Sequence, residues 1–331
     1  MRPRTAALSV LIACAAAVIA PAAVAQGAAA GYPAKPIRMI IPFAPGGASD
    51  FVGRIIQPRL GELTGQSIII ENRAGASGNI GLDAAAKATP DGYTLFLGNV
   101  GTTAINPSLF KTLTVVPTRD FVPITQVVDV PSALVANPSF PPNSARELIE
   151  FVKAAPGKYF FGSPGPGSAN RLEMERFMKS SGIQMTHVPY KGGAGPAITG
   201  LLAGETSVMF VTLSSAASQV RASKLKLLAV AAPQRVGAFP NTPTLAEEGL
   251  PEMTHGSWQG VFAPAGTPPD IIAKLYTIVI QVMETPDVKK RLGESGVDVV
   301  TSRSPAEFAA FLRAETEKWA QVVKESGATV E

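Results

Sequence analysis

From residue 37 onward, short apolar runs alternate with segments whose apolar positions recur every three or four residues. Ile37-Arg38-Met39-Ile40-Ile41 reads as a strand, and Phe51, Val52, Ile55, Ile56, Leu60 and Leu63 then share one helical face. Pro58 falls inside that helix, where an interior proline costs ~3 kcal/mol, so a kink or break is expected there. Ile68-Ile69-Ile70 reads as a buried strand, residues 79–88 as a helix of small residues, and Thr89-Pro90-Asp91-Gly92 as a turn. Tyr93-Thr94-Leu95-Phe96-Leu97 is the next strand. This βαβαβ order predicts a parallel sheet with helices on its faces.

Residues 106–125 read as irregular, and a second α/β series follows. Its strands are Ser132–Ala136, Tyr159–Phe161, Met185–Val188, Val208–Val211 and Leu225–Val230. Ser144 and Glu147 form a capping box at the start of a helix over residues 145–154, and Met174, Phe177 and Met178 mark another. The C-terminal part is helical, with Ile271, Ile272, Leu275, Ile278 and Val279 on one stripe. Ser304, Pro305 and Glu307 open a last helix carrying Phe308, Phe311, Leu312 and Trp319.

The first residues change the picture of where such a chain works. Arg2 and Arg4 precede an apolar run from Ala6, and Ala23-Val24-Ala25 is a cleavage pattern, so residues 1–25 read as a secretory signal peptide. An uncleaved anchor and a lipobox ending at Cys14 are the competing readings. The run is Ala-rich, however, and cleavage before Cys14 would leave residues 15–25 apolar. Cys14 is the sole cysteine, so a mature chain of about 300 residues, enough for two domains, must fold without disulfides. Lys+Arg 29 less Arg2 and Arg4 leaves 27 against Asp+Glu 25, a net of +2. The charges are interspersed, with no basic stripe for nucleic acid.

Candidate chemistry lies in three glycine-rich turns where a strand gives way to a helix: Ile40–Asp50, Leu97–Thr103 and Phe161–Asn170. Free N–H groups and the positive end of a helix make such turns anion sites. In the first, the amides near Gly47, Ala48 and Ser49 are the candidate donors. Asp50 has the wrong sign and serves equally well as a stabiliser of the helix end. In the third, Ser163, Ser168 and Asn170 offer side-chain donors, and Asn170 with Glu173 also matches a cap. His187 and His255 have no partner at ligand spacing, so no metal is expected. Gly165-x-Gly167-x-x-Asn170 lacks the third small residue and the acidic ribose partner of a dinucleotide site, and no cofactor is expected. The nucleophile motif G-x-S-x-G is absent, which argues against a hydrolase but leaves open a Ser–His pair made by folding.

These segments resemble the tripartite tricarboxylate transporter substrate-binding proteins, the Bug-type solute receptors. The resemblance runs from Tyr32 to the C-terminus. It is carried by Tyr32-Pro33-x-Lys35-Pro36-Ile37, Pro42-Phe43-x-Pro45-Gly46-Gly47-x-x-Asp50, Glu71-Asn72-Arg73-x-Gly75 and Pro90-Asp91-Gly92-Tyr93-Thr94-Leu95. Asp120-Phe121-x-Pro123, Pro156-Gly157-Lys158, Gly167-Ser168, residues 187–192 and residues 263–268 continue it in order. It implies a two-domain periplasmic binding protein of Venus-flytrap, type II-like form, each α/β domain a mostly parallel sheet flanked by helices. Residues 32–130 with 233–331 would form one domain and 131–232 the other, with crossings near Val127–Val130 and Ala231–Pro233. The implied ligand is a small organic carboxylate, held by Phe43, Ala48, Ser49, Asp50, Ser163, Ser168 and Asn170, with Gly47, Gly98, Asn99 and Gly167 bordering the cleft. The implied partners are integral-membrane carrier subunits, with the receptor a non-catalytic monomer. A sensor subunit with the same trap is the alternative. The family often has His at Asn170 and commonly Asp at Gly200 and Ser207. Fewer carboxylates near the hinge point away from amino-acid ligands.

Overall fold

The computed structural model describes residues 29–253 and 256–326. The expected signal peptide and His255 lie outside them. Among the described residues, eleven strands and eleven α-helices build two lobes. The first lobe opens with β1 (Ile37–Ile41), α1 (Ala48–Thr64), β2 (Ile68–Asn72), α2 (Asn79–Ala86), β3 (Thr94–Asn99), α3 (Asn106–Leu109), α4 (Pro117–Asp120) and β4 (Phe121–Val130). The chain crosses at Pro131 into β5 (Ser132–Ala136), α5 (Ala145–Lys153), β6 (Phe160–Ser163), α6 (Ala169–Ser181) and β7 (Thr186–Pro189). That lobe is completed by α7 (Ala194–Ala203), β8 (Val208–Thr212), α8 (Leu213–Arg221) and β9 (Lys226–Ala231). The chain then returns for β10 (Ser257–Pro264), α9 (Pro269–Glu284), α10 (Pro286–Gly293), β11 (Asp298–Val299) and α11 (Pro305–Ser326).

The first sheet has the order β11-β4-β10-β3-β1-β2 and the second β7-β6-β8-β5-β9. Each sheet is mostly parallel, as expected, with a minority of strands of the opposite sense: β10 and β11 in the first and β5 in the second. The βα units pair parallel, β1 with β2 and β3, and β6 with β7 and β8. The strands that enter and leave each lobe pair antiparallel: β10 with β3 and β4, and β5 with β8 and β9. A strand arriving from the opposite lobe enters its sheet from the hinge end and so runs against the βα strands.

Local chemistry explains most element ends. Ser144 Oγ accepts the Glu147 N–H at 3.1 Å at the start of α5. α1 closes on Gly65 in the left-handed conformation, where a side chain would be strained. Pro58 does not break α1, which is continuous from Ala48 to Thr64. Pro58 and Arg54 are both exposed, so the carbonyl left without its donor faces water. Ile68-Ile69-Ile70 is not a buried strand throughout: β2 is an edge, and Ile69 is 52% exposed.

Apolar side chains cover both faces of each sheet. Val52, Ile55, Ile56 and Leu60 of α1 and the α9 stripe pack on one face of the first sheet. Trp258, Phe262, Phe308, Leu312 and Trp319 fill the other face. That second cluster also takes in Ala169 and Leu172 of α6, which belongs to the second lobe. Residues 232–253 stay with the second lobe: Leu245, Leu250 and Met253 lie in its core and Thr244 bridges to Val230. Packing with the second lobe thus continues as far as Met253, beyond the expected crossing at Ala231–Pro233.

Candidate functional site

A cavity of about 40 Å³ lies between the lobes. Four helices begin on it. Ala48 and Ser49 start α1, Ala169 and Asn170 start α6, Ala194 starts α7, and Thr212 and Ser215 flank the start of α8. α1 has Gly47 at its N-cap and no side-chain cap, and its first internal bond is Phe51 N–H to Gly47 O at 2.9 Å. The N–H groups of Ala48 and Ser49 are thus left without helical partners. α7 and α8 also begin without a side-chain cap. Among the described residues lining this cavity none is charged. The site is electropositive through backbone dipoles alone, each helix end contributing ~0.3–2 kcal/mol toward an anion.

Phe43, Gly47, Ala48, Ser49, Asn99, Gly167, Ser168 and Asn170, all expected from sequence, line the cavity. Three others do not. Asp50 is turned away to brace the first turn, accepting from Gly46 N–H at 3.1 Å, Arg54 Nε at 2.9 Å and Asn72 Nδ2 at 3.0 Å. Burial would raise its pKa, but these bonds together outweigh that and hold the carboxyl below its ordinary value. Gly98 is packed beneath the site, where a Cβ would meet Phe96 at 2.8 Å and Thr103 at 2.9 Å. Ser163 is fully buried and bonds His187 Nε2 at 2.7 Å.

Ser163 and His187 are the Ser–His pair that sequence left open. A hydroxyl with no exposed surface cannot meet a substrate. Burial, with Arg171 nearby, lowers the His187 pKa to about 4, which makes it a weak base. His187 also stacks on Phe161 at 4.9 Å between centroids, a packing role.

Val100, Gly101 and Pro164, which lie within the expected turns but were not singled out, also line the cavity, and sequence reasoning missed Ser77, Ala194, Thr212, Ser215 and Ser257. Ser77 has a visible signal in Gly75-Ala76-Ser77-Gly78, a further glycine-rich segment leading into a helix. The backbone there is left-handed at Ala76 and Ser77 (φ 46° and 54°), which carries Ser77 Oγ across the cleft to accept the Gly167 N–H at 3.2 Å. Ser215 Oγ is buried in the wall without a protein partner. Ser168 Oγ is fully engaged, donating to Gly165 O at 2.8 Å and accepting from Arg171 N–H at 3.2 Å, so it shapes the turn more than it offers a free donor.

The lips meet main chain to main chain: Ala44 N–H donates to Gly192 O at 2.8 Å. Gly167 and Gly195 are required by close approach, since a Cβ would sit 2.4 Å from Asn106 Oδ1 and 2.6 Å from Pro45 O respectively. Phe43, Ser77 and Pro164 separate the cavity from a second one of about 490 Å³ toward the cleft mouth.

This geometry agrees with what the chain is similar to. Residues 52–328 match the profile described as "Tripartite tricarboxylate transporter family receptor". Protein BugT of Bordetella pertussis is 37% identical over 298 residues, 90% of this chain and 91% of that one. Among solved structures, Rhodopseudomonas palustris Rpa4515 with adipate superposes with a TM-score of 0.87 at 33% identity, covering 90% of this chain and 100% of that one. MatC of the same organism, with bound malate, gives 0.83 at 33% identity over 88% and 100%. The chain belongs to the tripartite tricarboxylate transporter receptor family, whose members are periplasmic solute-binding proteins of this two-lobed fold.

Proposed function

We propose that this chain is a non-catalytic periplasmic receptor that closes over a small organic carboxylate and delivers it to the membrane subunits of a tripartite tricarboxylate-type carrier. The observation that carries the reading is the convergence of four helix N-termini on one cavity without a charged side chain. Such a site attracts a carboxylate through N–H groups and dipoles, and no histidine, lysine or carboxylate lines it to activate its hydroxyls. The adipate and malate held by two relatives of similar fold support the ligand class. The signal-like residues 1–25 support export. Binding would draw an open–closed equilibrium toward the closed form, which the carrier recognises.

The test is a thermal-shift screen on protein unfolded and refolded to strip carried-over ligand. Di- and tricarboxylates, aromatic acids and acidic amino acids form the panel, with nucleotides as controls. A true ligand at 100 Kd stabilises by about 2.7 kcal/mol. Selective stabilisation by carboxylates is expected. A folded protein unmoved by every carboxylate rejects the reading.

A further inference from the structure

Two asparagines on the cavity wall have their carboxamides fixed in opposite senses. Asn99 Oδ1 accepts the Thr102 N–H at 3.0 Å, so its Nδ2 is left as a donor. Asn170 faces the reverse constraint. It sits in a triangle with Ser132 Oγ at 3.1 Å and Glu173 at 3.0 Å, and Ser132 Oγ lies 2.8 Å from the other Glu173 oxygen. Asn170 is 6% exposed, Glu173 3% and Ser132 fully buried, so no water competes for these contacts.

Three contacts need three protons. With its NH₂ group turned inward, Asn170 supplies two and the Ser132 hydroxyl the third. With the amide reversed and Glu173 ionised, only the serine proton remains for all three. Protonating Glu173 raises that to two, still one short. With Glu173 ionised the inward NH₂ group pairs every contact, and in either state of Glu173 the reversed amide leaves a buried contact without a proton. Asn170 Oδ1 then has no donor among the described residues.

We infer that Asn170 presents a fixed hydrogen-bond acceptor to the cavity and selects, among small carboxylates, those that carry a hydroxyl on the carbon skeleton. The inference rests on the receptor reading above and narrows its ligand. The helix ends and Asn99 Nδ2 supply donors for the carboxylate. Asn170 Oδ1 is satisfied only by a group that donates back. An ammonium is disfavoured because the surrounding wall is dominated by positive helix ends and none of its lining side chains is charged. A site built to pair a ligand hydroxyl penalises the analogue lacking it, since the protein group stays buried and unpaired.

Calorimetry on ligand-stripped protein with pairs differing by one hydroxyl tests this: malate against succinate, citrate against tricarballylate and lactate against propionate. The hydroxy acid of at least one pair is expected to bind about 10-fold tighter or more. Asn170→Ala is expected to bring that ratio close to one. Carboxylates that bind with no hydroxyl preference overturn this inference and leave the receptor reading standing. So does a preference that survives Asn170→Ala, or aspartate binding tighter than malate. No binding of any carboxylate overturns both. The ligand ratios on the unaltered protein decide the matter even if the variant fails to fold.

Discussion

Glu173 shows how much a single residue beneath the site is asked to do. Burial pushes its pKa from the ordinary 4.5 to about 7, and the Ser132 and Asn170 hydrogen bonds only partly offset this. A carboxyl that holds its proton more tightly folded than unfolded favours the fold at low pH. That advantage is lost as pH rises from about 4.5 to about 7. The shift corresponds to roughly 3 kcal/mol. Urea unfolding of the parent and of Glu173→Gln at pH 4.5 and pH 8 should show the parent losing about that much relative to the variant. A constant difference between the two proteins would remove Glu173 as the titrating group. His187 pulls the other way, because its depressed pKa makes stability fall as pH drops from 6.5 toward 4, but it is common to both proteins and cancels. At this scale the sequence was a partial guide. Asn170 and Glu173 stand three residues apart as a cap pattern, and Asn170 was expected at the site. That Glu173 dictates which end of the amide faces the ligand depends on Ser132, 38 residues from Asn170, and no local spacing carries that information.

Among the elements, α6 concentrates structure and binding in one turn. Its Ser168 cap orders Gly165 through Arg171, the segment that presents Ala169 and Asn170 to the cavity. Ser168→Ala is expected to cost about 1 kcal/mol of stability. It should also weaken ligand binding, because the turn that presents Ala169 and Asn170 to the cavity loses its support. Chemical denaturation beside a binding titration would separate these, and full stability with unchanged affinity would deny the turn either role. The alternating pattern made β1, β3, β5 and the α9 and α11 stripes plain, since each buries one face or an apolar run. It hid β4 and β10. β4 contains Pro123 and Gln126, and β10 reads Ser-Trp-Gln-Gly-Val-Phe-Ala-Pro, with polar and small residues at its centre. Both are buried within a sheet, where tertiary partners override weak local preference. Gly260 of β10 is small because the Phe308 ring occupies its face, a Cβ there falling 2.2 Å from that ring. The proline is tolerated because Pro123 pairs with Phe262 at an irregularity in the ladder.

For the whole molecule the question is what joins the lobes. The lips touch through backbone, so a single methyl group can hold them apart. Gly195→Ala would place its Cβ 2.6 Å from Pro45 O in the closed form and leave an open form unhindered. A clash of about 1–3 kcal/mol predicts a loss of roughly 5–150-fold in affinity with little change in the stability of the empty protein. Small-angle scattering that shows normal ligand-driven compaction of this variant would contradict the role given to the contact. The α6 helix, meanwhile, inserts Ala169 and Leu172 into the same buried cluster as Trp258 and Trp319. These are the two tryptophans of the chain, and both indole N–H groups donate to one oxygen of Glu315, at 2.8 and 3.1 Å. A parting of the lobes that draws α6 out of this cluster would admit water toward the rings. The molecule therefore carries its own optical gauge: tryptophan emission should move to the red when the receptor is empty and to the blue when it is filled, so that loading can be followed in real time without attaching a dye.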